Sequence, residues 1–273
     1  MEGLTKYWGF YLVAAPDVNG VGIRDLQNAL DFVARDCKWV SDLRDLSPEK
    51  RAGQNDVNRR IVYRAFQRVL AARIVVFQLF LKLAIQVDGC LQERHKRIWL
   101  LFQLFDSLDP CGGGEHPFIR IFEKLRHASN DALDILADGL YTIIKTYFPY
   151  SQFILGLDEA QRVARLHPYS GISSTNVEVF RSIICEMVKV FAKPPIKLVV
   201  SSTSLPFADL LEEFFGVSGV SKPAEVNVFH ELGMFDTWPK LKRFLGRYVP
   251  ASILETPSGY HLQQRMREYL LGR

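Results

Sequence analysis

Two kinds of hydrophobic pattern alternate along this chain. Short, mainly apolar runs occur at Trp8–Ala15, Phe153–Leu157, Ile196–Ser201 and Val226–Phe229. Each is bounded by polar or turn-prone residues, and such runs predict buried strands. Between them apolar residues recur every three or four positions, the spacing that keeps one helix face apolar. Ile23–Arg35 carries Leu26, Leu30 and Val33 in this way, and the stretch from Arg59 to about Val87 carries Ile61, Ala65, Val69 and Ala72, then Leu79, Leu83 and Val87. Further helices are predicted at Leu91–Leu108, Phe118–Ser129, Ala132–Tyr147, Val177–Phe191, Phe207–Phe215, Thr237–Tyr248 and Tyr260–Leu271. Ser41–Asn58, with Pro48, Gly53 and Asn55, reads as a loop, as does the polar connection through Pro168 and Ser170–Ser174. The clearest break is Asp109–Pro117, with three consecutive glycines.

Strands that alternate with helices predict an α/β fold with a doubly wound, mainly parallel sheet. The helices at about 59–148 interrupt the alternation and read as a large insertion or lid. The resulting division is an α/β core over 1–235 and the start of a helical C-terminal subdomain over 236–273, apparently cut short.

Composition narrows this picture only a little. At 273 residues and 48% hydrophobic the chain has material for one large core, and 23% charged residues is too few for wholesale disorder. A net charge of +4 does not by itself imply nucleic acid. Cys37, Cys90, Cys111 and Cys185 are scattered without a C-x-x-C pair. That usage suits a reducing, intracellular compartment, cytoplasmic or nuclear, better than a disulfide scaffold or a zinc site. No secretory signal is visible, and the most apolar helix, Val69–Val87, carries Arg73 and a polar stripe of Gln78, Lys82 and Gln86. It therefore reads as an amphipathic helix of a soluble protein, with no membrane as partner.

The candidate chemistry sits in Phe153–Gln161, F-I-L-G-L-D-E-A-Q, where an apolar strand ends abruptly in Asp158 and Glu159. The pattern resembles that of nucleotide hydrolases, in which the first carboxylate at the carboxyl edge of a parallel sheet can hold Mg²⁺ and the second faces the attacking water. The later run Ile196–Val200 ends in Ser201-Ser202-Thr203, whose hydroxyls either face a γ-phosphate or cap the helix that follows. No G-x-x-x-x-G-K-[ST] phosphate loop occurs in the chain.

Taken in order, W-G-F-Y-L-V-A-A, L-D-E-A-Q and V-V-S-S-T-S-L resemble segments of fungal P-loop NTPases. Those proteins are similar to the ATPase modules of Crinkler-type and retrotransposon-hot-spot-type proteins, and more broadly to STAND and AAA+ ATPases. The resemblance implies Asp158 as the Mg²⁺ ligand, Glu159 as the catalytic base, and Thr203 or Ser202 as the nucleotide sensor. It implies Mg²⁺ and ATP as cofactors of a full-length form, with Met1-Glu2-Gly3-Leu4 as the last turn of the helix after a phosphate loop. The function it implies is an ATP-dependent switch or motor with protein partners or flanking effector domains. A non-catalytic regulatory or interaction module derived from an NTPase is the alternative, and a helicase fragment ranks last.

Other features have plainer readings. Cys111–His116 follows a helix and lacks a Lys, so it reads as a connection rather than a phosphate loop. Arg60, Arg64 and Arg68 form a basic stripe open to nucleic acid, an acidic partner or a phosphate, with a solvated helix face as the ordinary explanation. Lys240, Lys242, Arg243, Arg247, Arg265 and Arg267 make the C-terminal part basic, and any of its arginines is a candidate sensor. His167 reads as a loop residue rather than a general base.

Overall fold

The computed structural model describes residues 7–14, 22–105, 115–172, 180–201, 237–239, 242–243, 246 and 251–270. The chain divides into two compact units, Met1–Ser221 and Lys222–Arg273.

In the first unit, strand β1 (Trp8–Val13) is buried along its whole length. Helix α1 (Asp25–Ala34) buries Leu26, Ala29, Leu30 and Val33, the stripe its sequence spacing predicts. A short 3-10 turn at Leu43–Asp45 precedes α2 (Pro48–Asp88), a helix of 41 residues. The loop expected at Ser41–Asn58 is thus largely the first part of a helix. Pro48 occupies its first turn, where a missing N–H costs nothing. The asparagines that suggest a loop are side-chain anchors instead. Asn55 Oδ1 accepts the Ile172 amide at 3.0 Å, and Asn58 Nδ2 donates to the carbonyls of Val40 and Ser170, each at 2.7 Å. Gly89, at φ 74°, ends α2 in the left-handed conformation that suits glycine at a helix C-terminus.

Helix α3 (Glu93–Leu104) follows, with Gln92 and His95 forming a reciprocal cap. Helix α4 (Pro117–Lys124), a 3-10 turn at Leu125–His127, and α5 (Asn130–Tyr147) complete the helical stretch. Between Arg59 and Ser129 every regular element among the described residues is helical. Helix α2 is long and apolar enough to cross a membrane by length and composition alone, yet 56% of its most apolar window is buried inside the protein. Gln78, Lys82 and Gln86 are exposed as expected, but so are Leu79, Leu83 and Val87, while Arg73 is fully buried.

Strand β2 (Phe153–Asp158) leads directly into α6 (Ala160–Leu166), a helix where a polar connection is expected; burial of Ala160, Val163 and Ala164 organises it. Two-residue strands β3 (Gly171–Ile172) and β4 (Phe180–Arg181) pair antiparallel. The helix expected from Val177 accordingly begins later, as α7 (Ile184–Phe191), because Phe180 and Arg181 are taken by this pairing. Strand β5 (Ile196–Val200) ends the described part of the unit's main sheet.

That sheet has the order β1-β2-β5 with every pair parallel. The expectation that Trp8–Ala15, Phe153–Leu157 and Ile196–Val200 share one parallel sheet is met, with the last two as direct neighbours. One sheet face presents Trp8, Phe10, Leu12, Phe153, Leu155 and Leu157 to the main core. Phe77 of α2 stands at the centre of this aromatic packing, 5.8 Å from Phe10, 5.6 Å from Phe153 and 4.9 Å from Trp99 between ring centroids. On the other face Tyr11 and Val13 cluster with Leu100 and Leu104 of α3.

In the second unit the described helices are α8 (Ala251–Leu254) and α9 (Pro257–Leu270). Helix α9 starts earlier than the expected Tyr260 because Thr256 Oγ1 accepts the Gly259 amide at 3.1 Å. A side chain at Gly259 would meet the Ile253 carbonyl at 2.0 Å, so the two helices approach closely only through a glycine.

Candidate functional site

The parallel register places three polar side chains at one edge of the sheet. Tyr11 lies opposite Gly156 on the neighbouring strand, and Val13 opposite Asp158, so Tyr11 and Asp158 share a face. Gly156 has no side chain to separate them. The Tyr11 hydroxyl donates to Asp158 Oδ2 at 2.5 Å. The Ser201 hydroxyl, just beyond β5, donates to Asp158 Oδ1, which also accepts the Glu159 amide at 3.0 Å. Backbone bonds lace the same edge: Ala14 N donates to the Asp158 carbonyl at 3.0 Å, Ser201 N to that of Leu157 at 2.9 Å, and Ala160 N to that of Ser201 at 3.1 Å. The Asp158 carboxylate is therefore the point where β1, β2 and β5 are tied together.

Glu159 has φ 57° and ψ 36°, the one left-handed non-glycine conformation among the described residues. Such a conformation costs about 1–2 kcal/mol and persists only where its surroundings impose it. Here it makes the sharp turn between β2 and α6. The Glu159 side chain is 30% exposed; its Oε2 accepts Gln161 Nε2 at 2.6 Å and lies 3.9 Å from Arg162 Nε. Both carboxylates are half-buried; Asp158 is bonded across the three strands, whereas Glu159 turns to Gln161 and Arg162 at the start of α6. Burial, followed by the hydrogen bond to Asp158 and the charges of Asp158 and Glu159, raises the Tyr11 pKa far above that of an ordinary phenol. Tyr11 is consequently a permanent donor near neutral pH.

A second network fixes Tyr11 from behind. Among the described residues β1 is an edge strand, and side chains meet its outward-facing peptide groups. The Gly9 carbonyl accepts Trp99 Nε1 at 2.8 Å, the Tyr11 amide donates to Gln103 Oε1 at 3.0 Å, and the Tyr11 carbonyl accepts Arg73 Nη1 at 2.8 Å. Arg73 also makes a two-pronged ion pair with Asp25, at 2.7 and 2.9 Å, with both side chains essentially inaccessible. This closure both protects the sheet edge and sets the strand that carries Tyr11.

Of the residues marked in the sequence, Asp158 and Glu159 lie at this edge, whereas Ser202 and Thr203 fall outside the described residues, as do Val226–Phe229 and Phe207–Phe215. The hydroxyl that meets Asp158 is that of Ser201. Tyr11, Arg73 and Gln103 carry no motif; only the register of β1 on β2 and the docking of α2 and α3 reveal them. Among the described residues no group of three His, Cys, Asp or Glu side chains is placed to hold a metal ion. The donors at the edge, one carboxylate and one hydroxyl, fit Mg²⁺ carried largely by phosphate oxygens and do not fit a site built from protein alone.

The other candidates resolve differently. His116 caps α4, its Nδ1 accepting the Phe118 amide at 3.3 Å; the glycines before it lie outside the described residues. His167 ends α6, and burial lowers its pKa, so it is neutral. Arg267 stacks 5.9 Å from the Trp238 ring, within the second unit. The basic stripe is not a solvated face throughout. Arg60 is exposed, but Arg64 Nη2 donates to the Ala128 carbonyl at 2.9 Å, and Arg68 is fully buried, with Nη2 on the Phe122 carbonyl at 2.7 Å. These two arginines bind the carboxyl ends of α4 and the 3-10 turn, where exposed carbonyls attract cations.

Compared with models of known protein families, with curated proteins and with solved structures, the chain matches none.

Proposed function

We propose that the first unit is a P-loop-NTPase-like α/β module, the core of an ATP-dependent switch, with Asp158 and Glu159 as its acidic pair. The observation that carries this reading is the position of the pair: at the carboxyl end of the central strand of a parallel sheet, with the hydroxyl of the adjacent strand beside it. In this reading Asp158 and Ser201 would hold a phosphate-borne Mg²⁺, which would supply charge neutralisation for phosphoryl transfer. Glu159, on the surface side of the turn, orients the attacking water. Ser202 and Thr203 follow directly as candidate sensors. The doubly wound arrangement belongs to the same proposal.

Phosphate affinity in such modules comes mostly from backbone amides and a lysine in the glycine-rich loop, and these 273 residues contain no such motif. The chain by itself is therefore expected to bind Mg²⁺–ATP no more tightly than about 1 mM by calorimetry. A longer chain bearing G-x-x-x-x-G-K-[ST] ahead of β1 should bind it, and Glu159→Gln there should abolish turnover while preserving binding. Full turnover by that variant would end the assignment of Glu159.

A second reading, a non-catalytic regulatory or interaction module, is favoured by one specific observation. Both oxygens of Asp158 are already occupied by Tyr11, Ser201 and the Glu159 amide. If the longer chain also fails to bind nucleotide and Asp158→Asn merely lowers stability, the pair is a structural clasp and this second reading stands.

A further inference from the structure

Arg68 is the most unusual charge in the first unit. Its guanidinium is fully buried between the rings of Phe32 and Phe122, at 4.6 and 3.9 Å, and no carboxylate among the described residues forms an ion pair with it. Of its nitrogens only Nη2 has a partner; Nε and Nη1 have none, and neither does the buried Nε of Arg64 one turn earlier. Burial lowers the Arg68 pKa to about 10, and the positive charges of Arg64 and Arg126 push it in the same direction, against Glu123. Burial disfavours the Arg68 charge, and the neighbouring Arg64 and Arg126 add to that penalty while Glu123 opposes it. Stacking on aromatic rings and one carbonyl offset only part of that cost.

Beside them lies an open cavity of about 710 Å³ between α1, α2, α4 and the 3-10 turn at Leu125–His127. Arg35, Arg64, Arg126 and His127 line it, together with the Phe32 ring that covers Arg68. Arg35 and Arg126 are exposed. The acidic residues of the cavity are Asp31, Asp36 and Glu123. Asp31 accepts Gln27 Nε2 at 3.1 Å and Asp36 the Lys38 amide at 2.9 Å, so two of the three are engaged on the α1 side.

We propose that this cavity binds a small phosphate monoester, its phosphate held by Arg64 and Arg126 and its hydroxyl groups by the α1 wall of Asn28, Asp31 and Asp36. A dianionic phosphate supplies what the arginines lack: several acceptor oxygens for forked donors, the unpartnered Nε of Arg64 among them. Arg68 contacts no ligand atom. It is a positioning residue whose buried charge keeps the cavity floor positive. Carboxylates facing the opposite wall suit sugar hydroxyls as acceptors, and the volume lies within the range of small-molecule sites. The inference uses neither Asp158 nor Glu159.

The test is calorimetry and thermal denaturation of the full 273-residue chain with ribose 5-phosphate, inorganic phosphate and ribose. Ribose 5-phosphate should bind and raise the melting temperature, inorganic phosphate should do so more weakly, and ribose should do neither. Affinity should fall with added salt. Arg126→Ala removes an exposed side chain, so it should fold normally and bind ribose 5-phosphate about tenfold more weakly, the loss of one charge-assisted contact. Arg68→Met should also weaken binding, with unchanged or raised stability. Glu159→Gln should bind like the parent chain. No binding by the parent chain, unchanged affinity in Arg126→Ala, or equal binding of ribose would overturn the proposal.

Discussion

The Arg73–Asp25 pair offers the sharpest test of how the sheet edge is built. Replacing Arg73 by Met keeps most of the side-chain volume and removes the charge. Asp25, whose side chain is 0% exposed, then loses both of its guanidinium bonds, and the Tyr11 carbonyl loses its partner on the free edge of β1. Breaking a buried ion pair from one side costs about 3–5 kcal/mol, because a charge is stranded where water cannot reach it. Asp25→Leu should cost a similar amount by stranding Arg73. In the double variant neither charge remains, so the loss should shrink to about 1–3 kcal/mol, the penalty for the orphaned Tyr11 carbonyl. Urea denaturation of the parent and three variants measures the cycle, and Trp99, bonded to Gly9 on the same edge, reports it by fluorescence. Single losses below about 1 kcal/mol, or losses that simply add in the double variant, would show that the pair does not carry the edge.

Three further outcomes follow from the same geometry. Tyr11→Phe should lower stability by about 1–2 kcal/mol near neutral pH. Because the folded-state pKa of Tyr11 is raised, this parent advantage is complete below the ordinary phenol value of about 10 and declines as pH rises through the folded value; a constant difference across alkaline denaturation curves would contradict that. Glu159→Gly should raise stability by up to about 1 kcal/mol, and the melting temperature with it, by relieving the left-handed turn; a lower melting temperature would mean the side-chain contacts outweigh the strain. Phe77→Ala should cost about 3–5 kcal/mol, whereas Leu83→Ala, at a position 60% exposed, should stay within about 0.5 kcal/mol; comparable losses would place Leu83 in a packed environment.

The positions and types of the main elements were legible in the chain because hydrophobic spacing records which face of each segment must leave water. β1, β2, β5 and the helices at 25–34, 93–104 and 130–147 all follow their apolar periodicity within a few residues. Elements whose partners are remote were not legible. Phe180–Arg181 pairs with Gly171–Ile172, and Pro48–Asn58 is helical because its asparagines bond to Val40, Ser170 and Ile172, none of which local propensity can anticipate.

The same division runs through the site. An apolar strand ending in Asp158-Glu159 is a local signal, and the sequence alone determines that two carboxylates stand at that strand's end. What surrounds them belongs to tertiary structure. Tyr11 reaches Asp158 from 147 residues away, and it does so only because β1 aligns Trp8 with Phe153 rather than with a neighbour. A one-residue shift would turn Tyr11 to the opposite face. Arg68 makes the complementary point: the stripe of Arg60, Arg64 and Arg68 is plain in the sequence, yet helical spacing cannot say which end is buried. Packing of α1 and α4 against α2 places Arg60 in solvent and Arg68 beneath two phenylalanine rings, and that placement gives identical side chains different chemistry.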